Sequence, residues 1–168
     1  MSFEDMVMQA LITIFIGVIL YLAYKIIDKY AIEPYYDFKR EAIETVIDLQ
    51  FHSNILTNAF THTRFPTEFS KKVHNCQERI RERWSKLSVK YEIVPKWIFS
   101  SWIPTRQDMN TIESNLLYLS NRTILYLAGR NMPTDCGESA MMLNEIQKLL
   151  RKTIASSSKS RKKKIVHS

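Results

Sequence analysis

Four histidines and two cysteines are the residues here whose chemistry best suits a metal. Ligands must converge on one point. His74 and Cys76 stand two positions apart, so on a helix their side chains point about 200° away from each other. His52, His62 and Cys136 add no HExxH or CxxC spacing. No metal ligand is therefore expected. Neither a nucleophile–base pair nor paired carboxylates can be placed at one site, so no catalytic residue is expected. The only glycines are Gly17, Gly129 and Gly137, which excludes phosphate-binding and dinucleotide loops. No cofactor is expected, and the sequence points away from an enzyme.

Three other groups of residues invite a role. Asn54, Asn58, Ser120 and Asn121 fall on or beside apolar stripes and read as a buried polar cluster that fixes helix register. Residues 95–104, PKWIFSSWIP, are apolar, aromatic and bounded by prolines. The segment reads either as a hydrophobic plug closing one end of the bundle or, in Trp97, Phe99 and Trp102, as a contact with a membrane or a protein partner. Lys159, Arg161, Lys162, Lys163 and Lys164 form a basic cluster suited to anionic lipid.

The chain has 168 residues, 24 Lys+Arg against 17 Asp+Glu, and a net charge of +7. The excess is local. Eight basic and no acidic residues follow Glu145, leaving 16 basic and 17 acidic residues before Ile146. The folded part is thus near neutral, which argues against nucleic acid. Two separated cysteines fit a reducing compartment.

Residues 6–24, MVMQALITIFIGVILYLAY, hold no charge. As a helix they rise about 28 Å, close to the hydrocarbon thickness of a bilayer. Their Val, Leu, Ile and Phe residues favour insertion by something on the order of 3 to 6 kcal/mol. Glu4 and Asp5 precede the run and no small-residue cleavage site follows it, unlike a signal peptide. Lys25, Lys29, Lys39 and Arg40 come just after it, which places the N-terminus outside and the rest in the cytoplasm.

Beyond Glu33-Pro34, which should interrupt the helix, apolar residues recur at helical spacing. Residues 35–58 carry Phe38, Ala42, Val46, Leu49 and Leu56 on or near one stripe, with Ile43, Ile47 and Ile55 beside it. In residues 67–93, Phe69, Val73, Cys76, Ile80, Trp84, Leu87 and Tyr91 form one stripe. Lys71, Lys72, Glu78, Arg79, Arg81, Glu82, Arg83 and Lys86 read as its solvated face. Thr105 caps a third helix with Asp108 in its first turn, and Met109, Ile112, Leu116, Leu119, Thr123 and Leu127 make its inner stripe. Residues 138–154 form the last. The reading is all-α: a transmembrane anchor (1–29), an antiparallel four-helix bundle (33–154) and a disordered basic tail (155–168).

The segments KREAIETVIDLQFHSNILTN, NLLYLSNRTI and NEIQKLLRK, with L-x-x-L-S-N at 116–121, resemble a group of small bacterial membrane proteins. Members have one N-terminal span and a helical cytosolic domain. The resemblance implies a bacterial inner-membrane setting and no particular activity; the lysine-rich tail departs from it. The function expected is a membrane-anchored, non-enzymatic binding or scaffold protein with an unidentified protein partner. A membrane effector or complex subunit oligomerising through its span comes second, and a small enzyme third. If the orientation is right, a reporter fused after Ser168 is active only when it is one that works in the cytoplasm; signal from a periplasm-dependent reporter reverses the topology.

Overall fold

The computed structural model describes residues 3–58, 67–127 and 136–165. Among these the chain is helical and holds no strand. The helices are α1 (Phe3–Ile27), a π-helical turn (Asp28–Ile32), α2 (Glu33–Phe51), α3 (Ser53–Asn58), α4 (Thr67–Ile93), α5 (Lys96–Phe99), α6 (Arg106–Leu127) and α7 (Cys136–Ile165).

α1 has no buried residue. Together with the π-turn and α2 it forms one continuous helix, Phe3–Phe51, whose N-terminal part is long and apolar enough to cross a membrane. Pro34 was expected to break this helix and does not. The Glu33 N–H bonds back to the Asp28 carbonyl, one residue further than in an α-helix. Widening the turn just before Pro34 absorbs the missing N–H and the ring's collision with the preceding turn.

The apolar stripes meet in one core. Phe38, Ala42 and Leu49 of α2, Cys76, Ile80, Leu87 and Tyr91 of α4, Met109, Ile112, Leu116 and Leu119 of α6, and Leu143, Ile146 and Leu150 of α7 are all buried. α4 packs against α2 and α6, and α7 packs against the same two helices. Thr105 and Asp108 cap α6 reciprocally: the Asp108 N–H donates to Thr105 Oγ1 at 3.1 Å, and the Thr105 N–H to Asp108 Oδ2 at 3.3 Å. That is the double satisfaction expected of a capping box.

Three expectations need correcting. Arg83, read as part of the solvated face, has a side chain only 7% exposed. Trp84 packs against the core from its edge, and its covered indole N–H finds no acceptor among the described residues. The tail is not without structure, since α7 continues to Ile165. No Gly or Pro lies between Gly137 and Ile165, and Lys and Arg at a helix C-terminus complement its dipole.

Burial, aided by the Asp48 charge, pushes the Cys76 thiol up to about 12, so it is inert to thiol reagents in the folded state. For Trp84, replacement by Ala should cost about 3 kcal/mol, the low end for a large aromatic because the ring is partly exposed. Trp84→Phe should cost clearly less, because it keeps the packing and removes a stranded donor. Unfolding midpoints of the two variants in detergent check this, and equal losses contradict it.

Candidate functional site

Two groups of side chains stand out, one at the end of the domain nearest α1 and one along the α2–α4 seam.

At the α1 end, the short α5 and the turn after it fold over the start of α2. Tyr35 stacks on Phe99 with ring centroids 4.5 Å apart and planes within 10° of parallel. Trp102 leans on both rings at 5.8 and 5.9 Å. Tyr91, whose hydroxyl donates to the Pro104 carbonyl oxygen at 3.2 Å, ties the far side of the connector to α4. Lys96 lies 4.6 Å from the centre of the Tyr91 ring and Arg106 lies 5.9 Å from it; both pair with Glu92. Burial raises the Tyr91 pKa, and the two cations oppose that shift.

This packing divides the aromatic connector. Phe99 and Ile103 are buried. Phe99, a candidate membrane or partner contact by sequence, is therefore an internal plug, because its face is taken by Tyr35. Trp97 is 85% exposed, and Trp102 and Ile98 are exposed beside it, as are Ile93 and Tyr30. Ala31, only four residues after Ile27, is already buried. The domain thus begins to cover the helix about 6 Å beyond the end of α1. α7 reaches the same end, since Leu149 and Thr153 line a small cleft with Trp102 and Asp108. From Thr153, α7 runs on about 18 Å to Ile165. The backbone of Lys159, Arg161, Lys162, Lys163 and Lys164 lies in that extension; their side chains are outside the described residues.

The seam holds an ion network that sequence periodicity did not place. Arg83 of α4 donates to Glu41 Oε1 at 2.8 Å, Glu44 Oε2 at 2.6 Å and Asp48 Oδ2 at 2.5 Å. Arg79 also reaches Asp48 at 3.0 Å, and Lys90 reaches Asp37 at 2.6 Å. Burial works against the Arg83 charge, but the hydrogen bonds it donates to Asp48, Glu41 and Glu44 outweigh it and raise its pKa. The Lys90 hydrogen bond similarly lowers the Asp37 pKa, against a smaller effect of burial. The sequence did contain a signal. The acids 37, 41, 44 and 48 and the bases 79, 83, 86 and 90 both step by four, three and four.

The expected polar cluster is split. Ser120 is buried and Asn121 exposed, and Arg81 joins them from α4, donating from Nε to Ser120 Oγ and from a terminal nitrogen to Asn121 Oδ1, each at 3.0 Å. Asn54 is exposed on α3, and no hydrogen bond links it to Ser120 or Asn121 among the described residues. The Asn58 side chain lies outside them. His74 is exposed beside Glu78 at 3.3 Å while Cys76 is buried, so the two point apart as the spacing requires. His62 lies outside the described residues. Among the described residues no cluster of His, Cys, Asp and Glu could hold a metal.

Compared with known proteins, the chain matches no protein-family model, no curated protein and no solved structure.

Truncating Arg83 strands Glu41 and Glu44 and leaves Asp48 with Arg79 alone. Arg83→Ala should cost about 3–5 kcal/mol, the usual penalty for breaking a buried ion network from one side. Arg81→Ala removes two bonds to neutral groups, one part-buried and one exposed, and should cost about 1 kcal/mol. Chemical denaturation of both variants measures the difference; comparable losses would show that the seam is solvated.

Proposed function

We propose that this chain is a single-pass protein of a bacterial inner membrane, with α1 as the span. Its cytoplasmic part is an antiparallel four-helix domain that works as a non-enzymatic binding or scaffold module. The ring of packing from α2 to α4, α6, α7 and back to α2 supports the bundle. The ion ladder supports antiparallel pairing: as Asp37, Glu44 and Asp48 climb α2, their partners Lys90, Arg83 and Arg79 descend α4 by equal steps.

The observation that carries the reading is the exposed aromatic end. Trp102 packs on Tyr35, about 12 Å of helix past Ile27, and Trp97 and Ile98 of the same connector and Ile93 at the end of α4 are exposed with it. Trp and Tyr are favoured at headgroup depth, where an apolar ring and a polar edge are both satisfied. Lys25 lies over Tyr21 and Lys29 over Tyr30, each at 5.9 Å, so cations and rings alternate through the same zone. On this reading the domain rests on the bilayer rather than hanging from a tether. The α7 extension then delivers Lys159–Lys164 to the same surface, where anionic lipid is their natural partner, at about 1 kcal/mol per residue near the surface at most. A rigid seat presents α4 and α6 outward to a protein partner.

A second reading has α1 itself bring the chain into a membrane complex. Its exposure along the whole length favours this, as does open space around Gly17.

The seat is tested in full-length protein reconstituted into vesicles, with Trp84→Phe and Trp102→Phe leaving Trp97 as the only indole. Its emission should be shifted to the blue and quenched by lipids brominated near the headgroup end of their chains. Water-like emission without quenching removes the seat.

A further inference from the structure

α2 carries an apolar stripe that the core does not use. Tyr36, Ile43, Ile47 and Phe51 are all exposed, Ile47 by 56% and Phe51 by 81%. At about 100° per residue they share an arc of about 80°, on the side of the helix turned away from Phe38, Ala42 and Leu49; Arg40 also falls within that arc, its guanidinium turned to Asp37 at 3.0 Å. The arc is about 22 Å long. Exposed large residues in register are more than the scattered surface apolar groups that need no explanation.

We propose that this stripe is the contact surface for a second copy of the same chain, packed parallel along α2 beside the span. The inference rests on α1 lying in a bilayer, and it adds a pairing surface outside the membrane to that reading. Three observations select a second copy over another occupant. First, α1 and α2 are one continuous helix, so two copies inserted in the same sense meet with their α2 helices parallel. Their stripes are then at equal heights. Second, the stripe pairs with itself: Ile43 and Ile47 are four apart, and at coiled-coil positions each meets its own counterpart across a two-fold axis.

Third, the flanks are complementary. Lys39 borders one side of the stripe and takes part in no ion pair among the described residues. Glu44 borders the other, five residues on, with 43% of its side chain still exposed beyond its contact with Arg83. In a parallel pair a flanking residue faces the residue five positions later on its partner. The Lys39 ammonium therefore faces the Glu44 carboxylate of the other copy. A short stripe buries too little for a tight dimer in dilute solution. Confinement in a membrane plane supplies the effective concentration that its area lacks.

Ile47→Cys in full-length protein, in a Cys136→Ser background and in native membranes, tests the pairing by disulfide cross-linking. Cys76 is buried and does not compete. The expected result is a covalent dimer formed several-fold faster than from Ser85→Cys, an exposed position on α4. Adding Ile43→Glu should abolish that difference without releasing the protein from the membrane. Alkaline carbonate extraction of the same membranes reports separately on the anchor. A chain that resists carbonate yet cross-links no faster at position 47 than at 85 overturns the pairing and leaves the anchor standing. Cross-linking at 47 that Ile43→Glu does not change also overturns it. A chain that carbonate extracts overturns the anchor, and the parallel pairing with it.

Discussion

Arg83 is the residue on which the arrangement of α2 and α4 depends. Its guanidinium, nearly covered, is held by Glu41, Glu44 and Asp48. Removing a charge from water costs several kcal/mol, and only full pairing offsets that. The seam therefore contributes less to net stability than an apolar one of the same area would. It contributes register. The two ladders step alike, so sliding α4 along α2 by one turn re-pairs some rungs, but it draws Arg83 away from the three carboxylates that converge on it and leaves an unpaired charge at each end of the ladder. An apolar seam would tolerate the same slide at modest cost. With α2 fixed to α4, the apolar stripes of α6 and α7 have one groove to fill, and the core closes over Leu87, Ile112, Leu116 and Ile146.

The same helix links that core to α1. A break at Glu33-Pro34 would have made a hinge, and the domain would then sample many orientations on its stem. The π-turn instead carries the helix through the proline, and Tyr35 enters the core one residue later. Tyr35 then organises the end of the domain, since Phe99 stacks on it and Trp102 leans on both. The exposure of Trp97 follows from this packing. With Phe99 turned inward, an α5 of four residues has little room to bury a second large ring.

Much of this was legible in residue order. Period-3.6 apolar spacing found the inward residues of α4 and α6, and Thr105-x-x-Asp108 marked the start of α6. What failed was the meaning of charge. Periodicity treats every Arg as solvated, so Arg83 was put on the water side, although matching ladders of acids on α2 and bases on α4 were there to be read. It also put Ile43 and Ile47 beside the core, because a helix with two apolar arcs looks like one with a single broad arc until its neighbours are known. Ser120 reads from the sequence as part of a polar cluster with Asn54, Asn58 and Asn121, but its partner Arg81 lies 39 positions away, a distance at which sequence spacing carries no information. The helicity of the tail was missed for a different reason. Low apolar content argues against a packed core, yet a helix that extends from a packed segment needs no core of its own once nucleated.

The three arcs of α2 explain why its sequence looks so mixed. One arc is apolar and filled by the core. One is acidic and filled by α4. The third is apolar again, with Tyr36, Ile43, Ile47 and Phe51. A helix at the edge of a soluble bundle normally reserves its outward arc for charge, which keeps bundles apart in solution. Lys39 borders this arc and Arg40 falls within it, but Arg40 is drawn off to Asp37 at 3.0 Å, so it screens the stripe less than its position suggests. A stripe of this size would promote aggregation in a freely diffusing protein. Anchoring changes that balance, because a span restricts encounters to copies of matching orientation and height. The outward arc of α2 is therefore compatible with solubility only if α1 does what its composition suggests, and the two apolar features of the long helix support one another.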